Sequence, residues 1–280
     1  MVIDSYSLAE RISSEIGFEF TASEGWDREG QRWFELYPTG YPIGQTFTIR
    51  TIIGWRRIDV IFRPAIFAGE LVEAMRTSDE GGRQTFRAIL DTCQNADTEI
   101  SFIINETVCN PNDDAVWDLP WRSVGLEISK GMLSINKGNI ESDMYHIELW
   151  TSRMAAAIIS LLPLEETVDD FLEVFGLPEG AKMSIEVNRY ERDRRNRAAA
   201  LAIHGYTCSG CDLNMEEKYG NIAAGIIEVH HVKPISELGA DYIIDPINDL
   251  IPLCPNCHAV VHKCSPPLSI IALRKNLNIN

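Results

Sequence analysis

The chain has 280 residues, 45% apolar and 24% charged, a globular composition that excludes a mainly disordered chain and has room for two domains of roughly 100 to 200 residues. No apolar run reaches the roughly 18 residues of a bilayer-spanning helix, and Met1-Val2-Ile3-Asp4 lacks the basic stretch and apolar core of a secretory signal, so a cytoplasmic protein with no membrane partner is expected. The net charge of −16 argues against a phosphate-rich partner, but residues 181–280 carry 11 basic and 11 acidic residues, leaving 14 of the 25 basic and 30 of the 41 acidic residues in positions 1–180.

Leu8, Ile12 and Ile16 stand at helical spacing, predicting a helix over 4–16 capped by Ser5 or Ser7. A short strand is expected at Phe18 to Thr21. After the Gly-, Pro- and Tyr-rich stretch 37–44, Thr46 to Ile53 and Trp55 to Phe62 read as a hairpin around Gly54. Helical periodicity returns at 67–76 and 83–95, and strands are expected at Glu99 to Ile104 and Trp121 to Ser129, separated by the turn-rich Asn110 to Asp114. A long apolar helix from His146 to Leu162 ends where Pro163 breaks the hydrogen-bond ladder. A further acidic helix is expected over Leu164 to Phe175. Gly176-Leu177-Pro178-Glu179-Gly180 reads as a linker, dividing an N-terminal α+β domain over 1–177 from a C-terminal domain over 181–280.

The chemistry concentrates after residue 200. Cys208-Ser-Gly-Cys211 is followed by Cys254-Pro-Asn-Cys257, and two such knuckles close a tetrahedral, structural zinc site. The metal would replace core that so small a domain cannot build alone. Cys93, Cys109 and Cys264 carry no such pattern and read as ordinary small buried residues. Between the knuckles, the β-rich run Ile226 to Pro234 contains His230 and His231, which on a regular strand point to opposite faces. One can bind metal while its neighbour faces the substrate. His258 and His262 are four apart, so on a helix they share a face and could converge on the ion of His230. His204 reads as a helix C-terminal residue favourable to the dipole, and His146 as a packing or capping residue.

These residues resemble the HNH, or ββα-metal, nucleases, in the branch braced by a four-cysteine zinc. The match covers Asn188 to about Lys263 and includes Gly205-Tyr-Thr-Cys208, Glu228-Val-His-His231, Asp245-Pro-Ile-Asn-Asp-Leu250 and Leu253-Cys-Pro-Asn-Cys-His258. The resemblance implies that His230 and His258 ligate a catalytic divalent ion such as Mg²⁺ or Mn²⁺, that His262 also approaches it, and that His231 is the general base. The family's middle residue is an asparagine nine positions before the last histidine. That position here is Asp249, with Asn248 directly before it, and either could brace the loop that holds His231.

Arginines 189, 192, 194, 195 and 197 interleave with Glu191 and Asp193 on an expected helix. Arg192, Arg194, Arg195 and Arg197, with Lys233, are candidates for DNA backbone contact, and salt bridges to the acidic N-terminal domain are the other reading. Trp26, Trp33, Tyr37, Tyr41, Trp55, Trp117 and Trp121 make the first half aromatic-rich. Core packing is the default for most of them. A DNA-recognition role, with a modified base held between aromatics, stands beside a dimerisation or inhibitory role for this domain. The function expected is that of a restriction or defence endonuclease, plausible as a homodimer because each chain has one site. A zinc-dependent DNA-binding protein without catalysis is the non-enzyme alternative.

Overall fold

The computed structural model describes residues 4–135, 140–162, 194–232, 242–264 and 266–279, with backbone only for 140–142 and 194. The expected acidic helix at 164–175 and the linker at 176–180 lie outside these residues.

Helix α1, Ser5–Ile16, opens with Asp4 as its cap, whose carboxylate accepts from the Ser7 backbone N–H at 2.7 Å. The shorter hydroxyls of Ser5 and Ser7 are not the cap. It ends at Gly17, whose left-handed φ of 70° lets its N–H reach back to Ser13. Strands β1 (Phe20–Trp26), β2 (Arg32–Pro38), β3 (Phe47–Gly54) and β4 (Arg57–Pro64) form an antiparallel meander. Helices α2 (Gly69–Arg76) and α3 (Glu80–Asn95) follow, then β5 (Glu99–Ile104), β6 (Thr107–Cys109), a short helix α4 (Ala115–Asp118) and β7 (Val124–Lys130). The sheet order is β1-β2-β3-β4-β7-β5-β6, every pairing antiparallel.

One face of this sheet is apolar because alternate residues point the same way. Ile49 faces Phe62 across the β3–β4 ladder, and Phe62 faces Leu126 across β4–β7; all three are buried. Helix α5, Ile140–Ser160, lies against this face beside α1 and α3. Its Thr151 donates to the Ile147 carbonyl and accepts from Thr51 of the sheet at 2.7 Å, so a polar pair is buried with its hydrogen bonds made. Gly82 lets α3 meet the end of α5, since a Cβ there would stand 2.4 Å from the Ser160 carbonyl oxygen.

Helix α6, Arg194–His204, is a wall between two cores. Ala198, Ala199 and Ala202 belong to the core of the first unit, while Ala200 and Leu201 belong to a second built around Cys208, Val229, Leu253 and Val261. Small alanines on both sides allow this double packing. The second unit adds α7 (Met215–Tyr219), strands β8 (Glu228–His231) and β9 (Leu250–Leu253), α8 (Pro255–Val261) and α9 (Ile270–Asn276). The whole is mixed α+β, and among the described residues no helix is long and apolar enough to cross a membrane.

Two sequence expectations are corrected by burial. Cys264 is exposed, not buried, and Cys109 is half-buried, leaving only Cys93 of the three in the core. Trp117 and Trp121 do pack in the core, but Trp26, Tyr41 and Trp55 are exposed.

Candidate metal centre and active site

The second unit places two clusters of ligand atoms a few residues apart. Gly205, at φ 75°, ends α6 and turns the chain into the first knuckle, which the Thr207–Asn214 bridge closes at its base. Inside it, Cys208 N–H donates to Leu213 and Asp212 N–H to Cys208. The second knuckle runs from the end of β9 into α8, with Cys254 as cap and Pro255 at the first helical position. The thiols of Cys208, Cys211, Cys254 and Cys257 all lie within 4.8 Å of one another. The Cys211–Cys254 sulfur separation is 3.7 Å, close to the edge of about 3.8 Å that four Zn–S bonds of about 2.3 Å give a tetrahedron. Gly210 clears room for this cluster, because an added Cβ would sit 3.2 Å from the Cys257 sulfur and 2.8 Å from Leu273. Arg274 of α9 locks the turn from outside, with a forked pair to Asp212 at 2.7 and 3.1 Å and a bond to the Ser209 carbonyl. These residues fit one structural metal ion, and thiolate softness suits zinc.

The other cluster is made by the ββα arrangement. In β8, Glu228 and His230 are two apart and share a face, while His231 points to the opposite side. Antiparallel pairing with β9 fixes this register, His230 opposite Ile251 and His231 opposite Leu250. Helix α8 and its C-terminal residue present His258 and His262, one turn apart, to the Glu228–His230 face. Ring centroids of His230, His258 and His262 are separated by 5.5, 4.9 and 4.7 Å, and their ligand nitrogens lie within 4.8 Å of one another. His230 is 4% exposed and its buried Nδ1 has no hydrogen-bond partner, a feature a metal ion would resolve. Burial, then the neighbouring His262, His258 and His231, holds the His230 imidazole down at about 4, so it is a neutral lone-pair donor at neutral pH. The Glu228 carboxylate accepts a hydrogen bond from the Nδ1–H of His258, a tautomer that would leave the Nε2 lone pair for a metal ion. Three nitrogens so gathered fit a divalent cation and leave further positions open.

His231 stands apart from this trio. Burial lowers its pKa, the Asp249 carboxylate opposes that shift, and His258 adds to it. Asp249 is 3% exposed. Its carboxylate accepts from Tyr242 at 2.8 Å and from the Asp245 N–H at 2.9 Å, while its carbonyl accepts from Val232, directly after His231. Asn248 is exposed, and among the described residues its side chain donates to Asp245. Of the two middle-position candidates, Asp249 is therefore the residue built into the loop beside His231.

The basic candidates separate in the same way. Arg195 pairs with Asp79, the cap of α3, at 3.4 Å, and Arg197 donates to the Ile227 and Gly225 carbonyls in the turn before β8. The Arg197 guanidinium is drawn into the protein, while Arg195 sits in a surface ion pair. Arg192, Lys233 and the side chain of Arg194 lie outside the described residues. His204 meets the Pro246 carbonyl at 3.1 Å, and His146 is half-buried against Tyr145. Sequence reasoning gave Glu228 no role. The available signal was its i, i+2 spacing from His230 on a strand.

The sequence pattern of the HNH endonuclease matches residues 208–263, the span that holds both clusters. The type IV methyl-directed restriction enzyme EcoKMcrA of Escherichia coli (strain K12) is 37% identical over 89 residues, which is 30% of this chain and 30% of that protein. The chain thus spans less than a third of the length of the curated relative it matches. No solved structure matches. Four thiols in two knuckles, three imidazoles on a ββα unit and this match agree: the chain carries an HNH endonuclease domain over residues 208–263.

Proposed function

We propose that the chain is a metal-dependent DNA endonuclease of restriction or defence type, working in the cytoplasm. The observation that carries this reading is the convergence of His230, His258 and His262 on one point while His231 is held on the other face of the same strand. His230, His258 and His262 hold the catalytic ion, Mg²⁺ or Mn²⁺ being the reference choices, and zinc occupies the four thiols. The bound cation supplies Lewis-acid stabilisation of charge on the phosphoryl and leaving oxygens. His231, as neutral imidazole, takes the proton of the attacking water, whose oxygen bonds to phosphorus as the P–O3′ bond breaks. Asp249 orients the His231 loop, and Asn248 contributes to it through Asp245. Glu228 fixes the tautomer and aim of His258.

Residues 1–177 form the specificity unit and 181–280 the nuclease unit. The restriction relative is named as methyl-directed, which supports a modified base as the feature recognised. A homodimer accounts for cutting both strands with one site per chain. Nicking of plasmids that differ in cytosine methylation, by the full chain with Mn²⁺ or Mg²⁺, tests the reading. Cleavage is expected for the wild type and a loss of at least about 100-fold for His231→Ala, in the range of general-base catalysis. Equal cleavage by both proteins would remove His231 as the base.

A further inference from the structure

The first unit is acid-rich, and its arginines are largely committed. Arg50 pairs with Glu35, Arg57 with Asp59 and Arg87 with Asp114. Arg56 differs. Half-buried, it has no carboxylate partner among the described residues, its buried Nε has no acceptor there, and its guanidinium lies 5.7 Å over the Trp55 ring.

Trp55 and Arg56 are the two central residues of the β3–β4 turn, between the paired Gly54 and Arg57. Arg56 has φ 56°, a turn position where glycine is relaxed and an L side chain is strained. The loop after β7 abuts it, Leu133 N–H donating to the Arg56 carbonyl at 3.0 Å, and Met132 in that loop has φ 62°. Two touching loops thus each keep a long side chain on left-handed backbone, and strain of this kind points to function. They present Trp55 at 83% and Met132 at 87% exposure, and Trp26 at 69% ends β1 at the same end of the sheet. The other end also exposes apolar residues, Phe67 at 78% among them, but the nearby Arg63 is paired with Glu127. The Trp55 end combines two exposed tryptophans with a guanidinium that has no carboxylate partner and with two loops on left-handed backbone, the chemistry that meets stacked bases and phosphate.

We propose that the β3–β4 turn is a duplex-DNA contact of the first unit, with Trp55 wedged against a base step and Arg56 on the adjoining phosphate. This rests on the reading of the chain as a DNA endonuclease. The test uses the full chain carrying His231→Ala, which binds without cutting under that reading, and fluorescence anisotropy on short labelled duplexes with and without methylated cytosine. Trp55→Ala in this background is expected to weaken binding about tenfold, the scale of one lost stacking contact. Arg56→Gly is expected to lower the slope of log affinity against log salt by about one, while its Tm stays equal or rises because glycine suits that backbone. Phe67→Ala is the control at the other end and is expected to leave affinity unchanged. If the His231→Ala chain binds duplex but Trp55→Ala and Arg56→Gly bind equally well, or Phe67→Ala loses as much, the proposed surface is wrong and the endonuclease reading stands. If that chain binds no duplex at all, both fall.

Discussion

The carboxylate of Glu228 accepts the Nδ1 proton of His258 across the gap between strand β8 and helix α8. This bond ties a strand residue to a histidine of the imidazole cluster and would decide which nitrogen is offered to a metal ion. Glu228→Gln keeps the shape but offers a weaker acceptor. The variant is expected to bind Mn²⁺ about 10- to 100-fold more weakly, read by titration calorimetry and by the Mn²⁺ concentration needed for half-maximal nicking. An unaltered Mn²⁺ dependence would mean that Glu228 does not orient His258.

Asp249 and Asn248 are adjacent but differ in burial. Asp249→Ala leaves the Tyr242 hydroxyl and the Asp245 N–H without their acceptor, an expected loss of about 2 to 3 kcal/mol in unfolding free energy. Nicking should fall with it. Asn248→Ala touches an exposed side chain and is expected to change stability by less than about 0.5 kcal/mol. Denaturant titrations of the two variants check the ranking, and a larger loss in Asn248→Ala would reverse the assignment.

The thiol cluster and the imidazole cluster are separable. Cys254→Ser is expected to lose the tightly held zinc and most of the cooperative unfolding of the second unit, measured by elemental analysis and calorimetry. Gly210→Ala should lower Tm as well, since its Cβ meets Leu273 at 2.8 Å and the Cys257 sulfur at 3.2 Å. A brief chelator treatment that abolishes nicking and leaves zinc in place, with Mn²⁺ restoring activity, is the expected behaviour of two independent sites.

Between the units, Arg11 of α1 bridges Glu148 of α5, at 2.8 Å, and Glu216 of α7, at 2.5 Å, on the edge of a cleft of about 1130 Å³. Burial pushes Glu148 up to about 7, against the pull of Arg11 and with help from Glu15 and Glu216. A carboxyl raised from its ordinary 4.5 binds its proton more tightly in the folded chain. Its contribution is complete below about pH 4.5 and is lost as pH rises through about 7. Glu148→Gln should therefore flatten the decline of Tm between about pH 4.5 and pH 7. A parallel decline in variant and wild type would assign it to other groups.

What the sequence made legible was the chemistry with short, fixed spacing. Two cysteine knuckles, adjacent histidines on a strand and histidines four apart on a helix constrain geometry within a few residues, so both clusters were readable. The hairpin around Gly54 was readable too, because Ile49, Thr51 and Ile53 alternate against Ile58, Val60 and Phe62. Strand β2 was not, since it runs into the turn-rich stretch at Pro38 and its buried positions number only Phe34, Leu36 and Pro38. Side-chain direction was likewise hidden. Nothing local in the arginine run shows that Arg197 turns to the Ile227 carbonyl 30 residues on, or that Glu228 meets a histidine of the following helix.

The most direct test is diffraction at the manganese absorption edge from crystals of the full chain grown with Mn²⁺. One anomalous peak is expected at about 2 Å from nitrogens of His230, His258 and His262, with His231 unligated and the four thiols around a separate zinc. Manganese bound through His231, or no peak shared by His230 and His258, would contradict the account.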